Sequence, residues 1–215
     1  MSQERLNIEN NISKGTLAVI LSKLKQFYES KVRDEQYPTD SEIAADILTK
    51  GGILGDFARK TVVDLGAGTG ILGIGALLKG ANKVIFVEKD NLALEIAKEN
   101  YQKIKSEHSI GEAIFENKEA SEFCQKADTI IQNPPFGTKK EHADKEFLEI
   151  AFKTAQVVYS FHKTTTRKFV EAFTKDSGFE ITYSWDFEFP LKKTMKFHEQ
   201  RIKKIEVTIF RFQKI

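Results

Sequence analysis

Apolar residues along the chain fall into two rhythms. At Leu17, Ile20, Leu21, Leu24 and Phe27 they recur every three or four positions, which predicts a helix over 15–29. In "TVVDL" (61–65), "KVIFVEKD" (83–90), "EAIFEN" (112–117), "DTIIQN" (128–133) and "QVVYS" (156–160) they form short runs of the kind buried strands show. Helical spacing returns between these runs, in 69–81, in "NLALEIAKENYQKI", in 141–155 and in 164–174. Asp40 or Ser41 can cap a further short helix that Gly51 and Gly52 stop. Near the end, "FEITYSWDFEFP" and "KIEVTIFRF" alternate apolar with polar residues and predict a long antiparallel pair.

Strand–helix alternation closed by a hairpin implies an α/β fold. Its sheet has seven strands, mostly parallel, with an antiparallel C-terminal hairpin and helices on both faces. No repeat or low-complexity linker divides the chain. Residues 1–50 are expected to form an N-terminal helical extension, and 51–215 the sheet-bearing domain.

Composition narrows the class. With 40% hydrophobic and 30% charged residues, the 215-residue chain suits a soluble globular protein. No apolar run is long enough to span a membrane, and no secretory signal is visible. A single cysteine, Cys124, excludes an internal disulfide and a cysteine-built metal site. A cytoplasmic setting and no metal are expected. Net charge is only +2, yet residues 153–215 hold 13 Lys/Arg against 7 Asp/Glu. That basic third suits either a polyanionic partner or an ordinary solvated surface.

The chemistry concentrates in two short stretches. In "VVDLGAGTGILGIGA", Gly66, Gly68 and Gly70 follow a strand ending near Asp64 and open a helix. Such a turn lets a ligand approach the backbone at the strand ends. The spacing is G-x-G-x-G, not the dinucleotide G-x-G-x-x-G, and no triphosphate-binding loop is present. Eighteen residues on, Glu88 closes the next strand, where a carboxylate can accept both hydroxyls of a ribose.

The second stretch is "NPPF", 133–136. Two prolines stiffen the backbone and hold the preceding residue extended. The Asn133 side-chain oxygen and the Pro134 carbonyl can accept the two N–H groups of a planar amine, turning its lone pair toward a methyl donor. Pro135 adds rigidity, so less ordering entropy is lost. Phe136 offers a ring for base stacking. The knuckle points to planar nitrogen without naming the base.

Together, D-L-G-x-G-T-G, Glu88 and N-P-P-F resemble the Rossmann-like class I methyltransferases that use S-adenosylmethionine. "EQYPTDSEIAADIL", "NPPFGTK", "VVYSFHKTTTRKFV" and "MKFHEQRIKKIEVTIFRF" further resemble the methyltransferase-like protein 5 family, from about residue 30 to the C-terminus. The resemblance implies methylation of the exocyclic amine of an adenosine in small-subunit ribosomal RNA. Methylation of a guanosine amine or a protein glutamine amide, or a non-catalytic RNA-binding scaffold, are the alternatives.

For individual residues, the resemblance implies that Gln36, Tyr37 and Thr39 close over the methionine end of the cofactor. Gly66, Thr69 and Ile71 match the cofactor loop, with Asp64, Gly68 and Gly70 also expected among the cofactor contacts, and Glu119 and Ala120 match the positions that read its adenine. A small zinc-binding activator protein that adds to a sheet edge is the implied partner. Lys139, His162, Lys163 and Arg167 fall on loops after successive strands, and Lys196 at the last hairpin. There they are expected to contact the RNA substrate.

Overall fold

The computed structural model describes residues 12–26, 39–135, 143–191 and 203–215. Gln36, Tyr37, Phe136, Lys139 and Lys196 lie outside them, so their expected roles stay with the sequence. The elements are α1 (Lys14–Ser22), α2 (Ser41–Ile53), β1 (Thr61–Leu65), α3 (Ile71–Leu78), β2 (Lys83–Glu88), α4 (Asn91–Glu107) and β3 (Glu112–Asn117). They continue with β4 (Ala127–Gln132), α5 (Ala143–Thr154), β5 (Ala155–Lys163), α6 (Arg167–Asp176), β6 (Phe179–Leu191) and β7 (Lys203–Lys214). Short 3-10 turns cover Ala120–Glu122 and Thr164–Thr166.

One sheet runs β3-β2-β1-β4-β5-β7-β6. The first five strands are parallel; β7 is antiparallel to both β5 and β6. Alternate residues of β1 face opposite layers. Val62 joins a core with Leu17, Ile47, Leu72 and Leu94 from α1–α4, while Val63 and Leu65 join Leu148, Ala151 and Val170 from α5 and α6. The chain leaves β1 toward β2 on one side and later returns as β4 on the other. The C-terminal ends of β1 and β4 therefore flank the crevice where such sheets bind ligands.

The boundary expected at residue 50 falls inside α2, and α1 and α2 share the core of the sheet. Asp40 is the cap of α2, accepting from Glu42 N at 2.9 Å and Ile43 N at 3.3 Å. Gly51 and Gly52 do not stop the helix, which runs through both to Ile53. Gly51 is there for space, because a Cβ would lie 2.4 Å from the Phe57 ring. Helix α1 ends at Ser22, well short of the expected residue 29.

Candidate active site

The glycine loop follows directly from β1. Gly66, Gly68 and Gly70 have φ of 74°, 54° and 87°, a region where a side chain is strained. The amides of Gly66 and Ala67 both donate to Val87 O, at 2.9 and 3.0 Å, which fastens the loop to the end of β2. Gly70 packs against Ala97 and Phe86, whereas a Cβ at Gly68 would meet nothing within 4 Å. Gly68 thus borders open space at the strand ends, as a loop that accepts a ligand must.

Glu88 sits at this border. Its Oε2 accepts the Gly68 amide at 2.8 Å and its Oε1 the Asp90 amide at 2.9 Å. A carboxylate has about four lone-pair sites, so ribose hydroxyls can still be accepted. Asn117, ending β3, donates to the carbonyls of Glu88 and Lys89 at 2.9 and 3.0 Å and holds the neighbouring turn. Beyond it, Glu119 is exposed and lies 3.8 Å from Lys89, while Ala120 is buried in the core. Asp64 is fully buried under the loop and accepts the Gly73 amide at 2.7 Å. Its expected place among cofactor contacts becomes a supporting one, because it faces the start of α3, where Ile71 is also buried.

Thr69 is tied to the N-terminal segment, its hydroxyl donating to Gln26 Oε1 at 3.2 Å. Asn100 completes that tie. It is buried mid-way along α4 and takes the Lys25 amide at 2.8 Å, while its Nδ2 donates to Lys25 O and to Thr69 O, each at 3.0 Å. Nothing in the sequence singles Asn100 out, since its spacing on α4 resembles that of the other inward residues.

The knuckle Asn133–Pro135 leaves β4 beside this loop. Asn133 Nδ2 donates to Thr39 Oγ1 at 3.0 Å. One hydrogen bond therefore joins Asn133 to the last residue of the "QYPT" element, 94 positions earlier. Phe147 of α5 approaches the same region, since a Cβ on Gly66 would lie 3.0 Å from its ring.

The expected RNA contacts fare unequally. His162 is 1% exposed, with Nε2 at 2.8 Å from Ser160 Oγ and Nδ1 at 3.8 Å from Asp144 Oδ2. Burial holds its pKa below the ordinary histidine range, partly offset by Asp144. A ring so enclosed does not face a phosphate. Arg167 is accessible but engaged: Nη2 donates to Asp186 at 2.6 Å and to Thr208 Oγ1 at 3.2 Å, and its guanidinium lies over Phe210. Lys163 ends β5 partly exposed, without an ion-pair partner among the described residues.

Comparison with known proteins bears on family and fold. Residues 41–160 match the family model of the methyltransferase small domain. The chain is 35% identical to an uncharacterized protein of Methanocaldococcus jannaschii over 95% of both chains. It is 33% identical to the rRNA N(6)-adenosine-methyltransferase METTL5 of Danio rerio, covering 89% of this chain and 94% of that protein. A Pyrococcus horikoshii structure assigned as an RNA methyltransferase superposes with a TM-score of 0.84 at 40% identity, covering 94% of this chain and 98% of that one.

Proposed function

Because the chain belongs to the METTL5 family of rRNA N(6)-adenosine methyltransferases, built on the methyltransferase small domain, we propose that it methylates the exocyclic amine of an adenosine in small-subunit rRNA. It is an S-adenosylmethionine-dependent enzyme. The observation that supports the reading is the parallel pairing of β1 with β4, Leu65 opposite Gln132, which brings the glycine loop and the Asn133 knuckle to neighbouring strand ends; the Asn133–Thr39 hydrogen bond ties that knuckle to the "QYPT" element.

The open space at Gly68 and the carboxylate of Glu88 fit the cofactor: a backbone without a side chain on one side, a ribose acceptor on the other. When bound, S-adenosylmethionine supplies a methyl group on a positively charged sulfur. Glu88 holds the ribose, and Gly66, Gly68, Thr69 and Gly70 give it a close backbone. Glu119 and Ala120 border the adenine, and Gln36, Tyr37 and Thr39 cover the methionine end. Asn133 Oδ1 and the Pro134 carbonyl accept the two N–H groups of the target amine, so its lone pair turns out of the ring plane. Pro135 keeps that geometry stiff, which removes an ordering cost from the barrier. Phe136 stacks on the base, and Lys139, Lys163, Arg167 and Lys196 hold phosphates around it. A proton leaves the nitrogen after transfer, so no strong base is needed beforehand.

A small zinc-binding activator is the proposed partner, and β3 the edge it joins. Among the described residues that strand pairs with β2 alone, and Ile114 on it is exposed. Among the described residues no helix is long and apolar enough to cross a membrane; a cytoplasmic setting is proposed. The test is nucleoside mass spectrometry of small-subunit rRNA incubated with enzyme and S-adenosylmethionine. N6-methyladenosine should appear with the unmodified chain. It should be largely lost with Asn133→Ala, while calorimetry shows cofactor binding unchanged. Methylguanosine instead, or a matching loss of cofactor affinity, would overturn the assignment.

A further inference from the structure

Behind the knuckle lies a line of polar side chains that the mechanism above does not use. Gln132, the last residue of β4, pairs in register with Ser160 of β5 and is fully buried. Its Nε2 donates to Ser160 Oγ at 3.0 Å. Ser160, also fully buried, lies 2.8 Å from His162 Nε2, two residues along the same strand and on the same face. His162 Nδ1 in turn faces Asp144 Oδ2 at 3.8 Å, an electrostatic contact beyond hydrogen-bond length. Asp144 belongs to the first turn of α5. The ring of His162 is set edge-on to Phe210.

The line has a direction. Asp144 favours the tautomer with the proton on Nδ1, which leaves Nε2 as an acceptor. Ser160 then donates its hydroxyl to Nε2 and accepts from Gln132. Each donor points toward the carboxylate, an arrangement in which successive hydrogen bonds polarise one another. Much of this layer is apolar, with Ile130, Leu148, Ala151, Val158 and Phe210, and Thr208 of β7 sits opposite His162. Buried polar groups cost free energy that apolar residues of the same shape would not, and Gln132 Oε1 is buried without a hydrogen-bond partner among the described residues. Stability alone does not explain the line. Its two ends do: one is the residue before Asn133, and the other is the first turn of the helix that follows the knuckle.

We infer that Gln132, Ser160, His162 and Asp144 are positioning residues, a relay of three buried side chains and one half-buried carboxylate that fixes the Asn133–Pro135 knuckle between the end of β4 and the start of α5. This rests on the methyltransferase reading given above and adds residues to it. His162 then acts from beneath the site through Ser160 and Gln132.

The test uses the full chain and two readouts. In steady-state methylation of small-subunit rRNA, His162→Leu and Ser160→Ala should lower kcat roughly tenfold to a hundredfold, the scale of a misplaced reacting group. KM for cofactor and RNA should stay put. His162→Gln, whose amide can accept from Ser160 and donate toward Asp144, should recover most of kcat. Independently of activity, the side-chain amide resonance of Asn133, identified by its loss in Asn133→Ala, should shift or broaden in Ser160→Ala while that of Asn100 does not. Unchanged kcat in His162→Leu and Ser160→Ala, or an unmoved Asn133 resonance, overturns the relay. A fall in kcat matched by loss of folded protein, with no rescue by His162→Gln, does the same. If the unmodified chain methylates no rRNA nucleoside, the proposed function fails, and the resonance alone judges the relay.

Discussion

Asp64 shows how one buried carboxyl can serve a loop it does not line. Burial pushes its pKa up to about 8, the Gly73 amide offsets part of that, and the charge of Glu88 adds to it. The unfolded chain would titrate it near 3.8. A raised folded value means the folded chain holds the proton more tightly. The stabilising contribution is therefore complete below about pH 4 and is lost as pH rises through about 8. Asn in its place still offers an oxygen to Gly73 and has no proton to lose. Urea midpoints between those limits should fall with rising pH more steeply for the unmodified chain than for Asp64→Asn. Parallel curves would show that Asp64 is ionised throughout and that its burial is compensated in some other way.

At the level of elements, the side chains of Thr69, Gln26 and Asn100 join the glycine loop to the described part of the N-terminal segment. Asn100→Ala removes three hydrogen bonds, two to the Lys25 backbone and one to the Thr69 carbonyl. The loss should be about 1–3 kcal/mol in chemical denaturation, with weaker cofactor binding by calorimetry, since Thr69 belongs to the loop. Full retention of both would reduce Asn100 to a filler. The same residue explains a limit of sequence reading. The strands were legible because buried parallel strands are short apolar runs, and β3 matches its predicted 112–117 in full. The early end of α1 was not legible. The chain turns after Ser22 so that Lys25 can pair with a residue 75 positions away, and no local pattern carries that instruction. Gly51 and Gly52 misled for a related reason: a glycine chosen to admit Phe57 looks, in sequence, like a glycine chosen to end a helix. The glycine turn after β1 was readable because the backbone it needs is a local matter. The burial of His162 was not readable, because it depends on Asp144 of α5 and on the strand β7 that pairs with β5.

Across the whole molecule, the basic C-terminal third is less free than its count suggests. Arg167 is matched by Asp186, Lys204 by Glu188 at 2.5 Å, and Arg211 by a buried two-point pairing with Asp56 at 2.7 and 2.9 Å. The last of these joins β7 to the residues before β1, and Tyr159 and Thr129 bond to the same aspartate; it is a fold contact, not an RNA contact. Lys163 remains at the strand-end face with no such match among the described residues. Each cation that neutralises a phosphate on single-stranded RNA contributes about −0.7 to the slope of log K against log salt. Lys163→Ala should therefore weaken RNA binding with little sequence dependence and reduce the slope by about 0.7. Arg167→Ala should change it by less, because Asp186 already neutralises that charge and must be abandoned before a phosphate is gained. Both variants should bind S-adenosylhomocysteine as the unmodified chain does. The measurement is RNA binding across a salt series for the three chains, each saturated with that product. If Arg167→Ala takes the larger share of the slope, the Asp186 pairing yields to RNA and the substrate surface extends onto β6. If neither variant changes the slope, the polyanion lies elsewhere on the molecule and Lys163 is ordinary solvated surface.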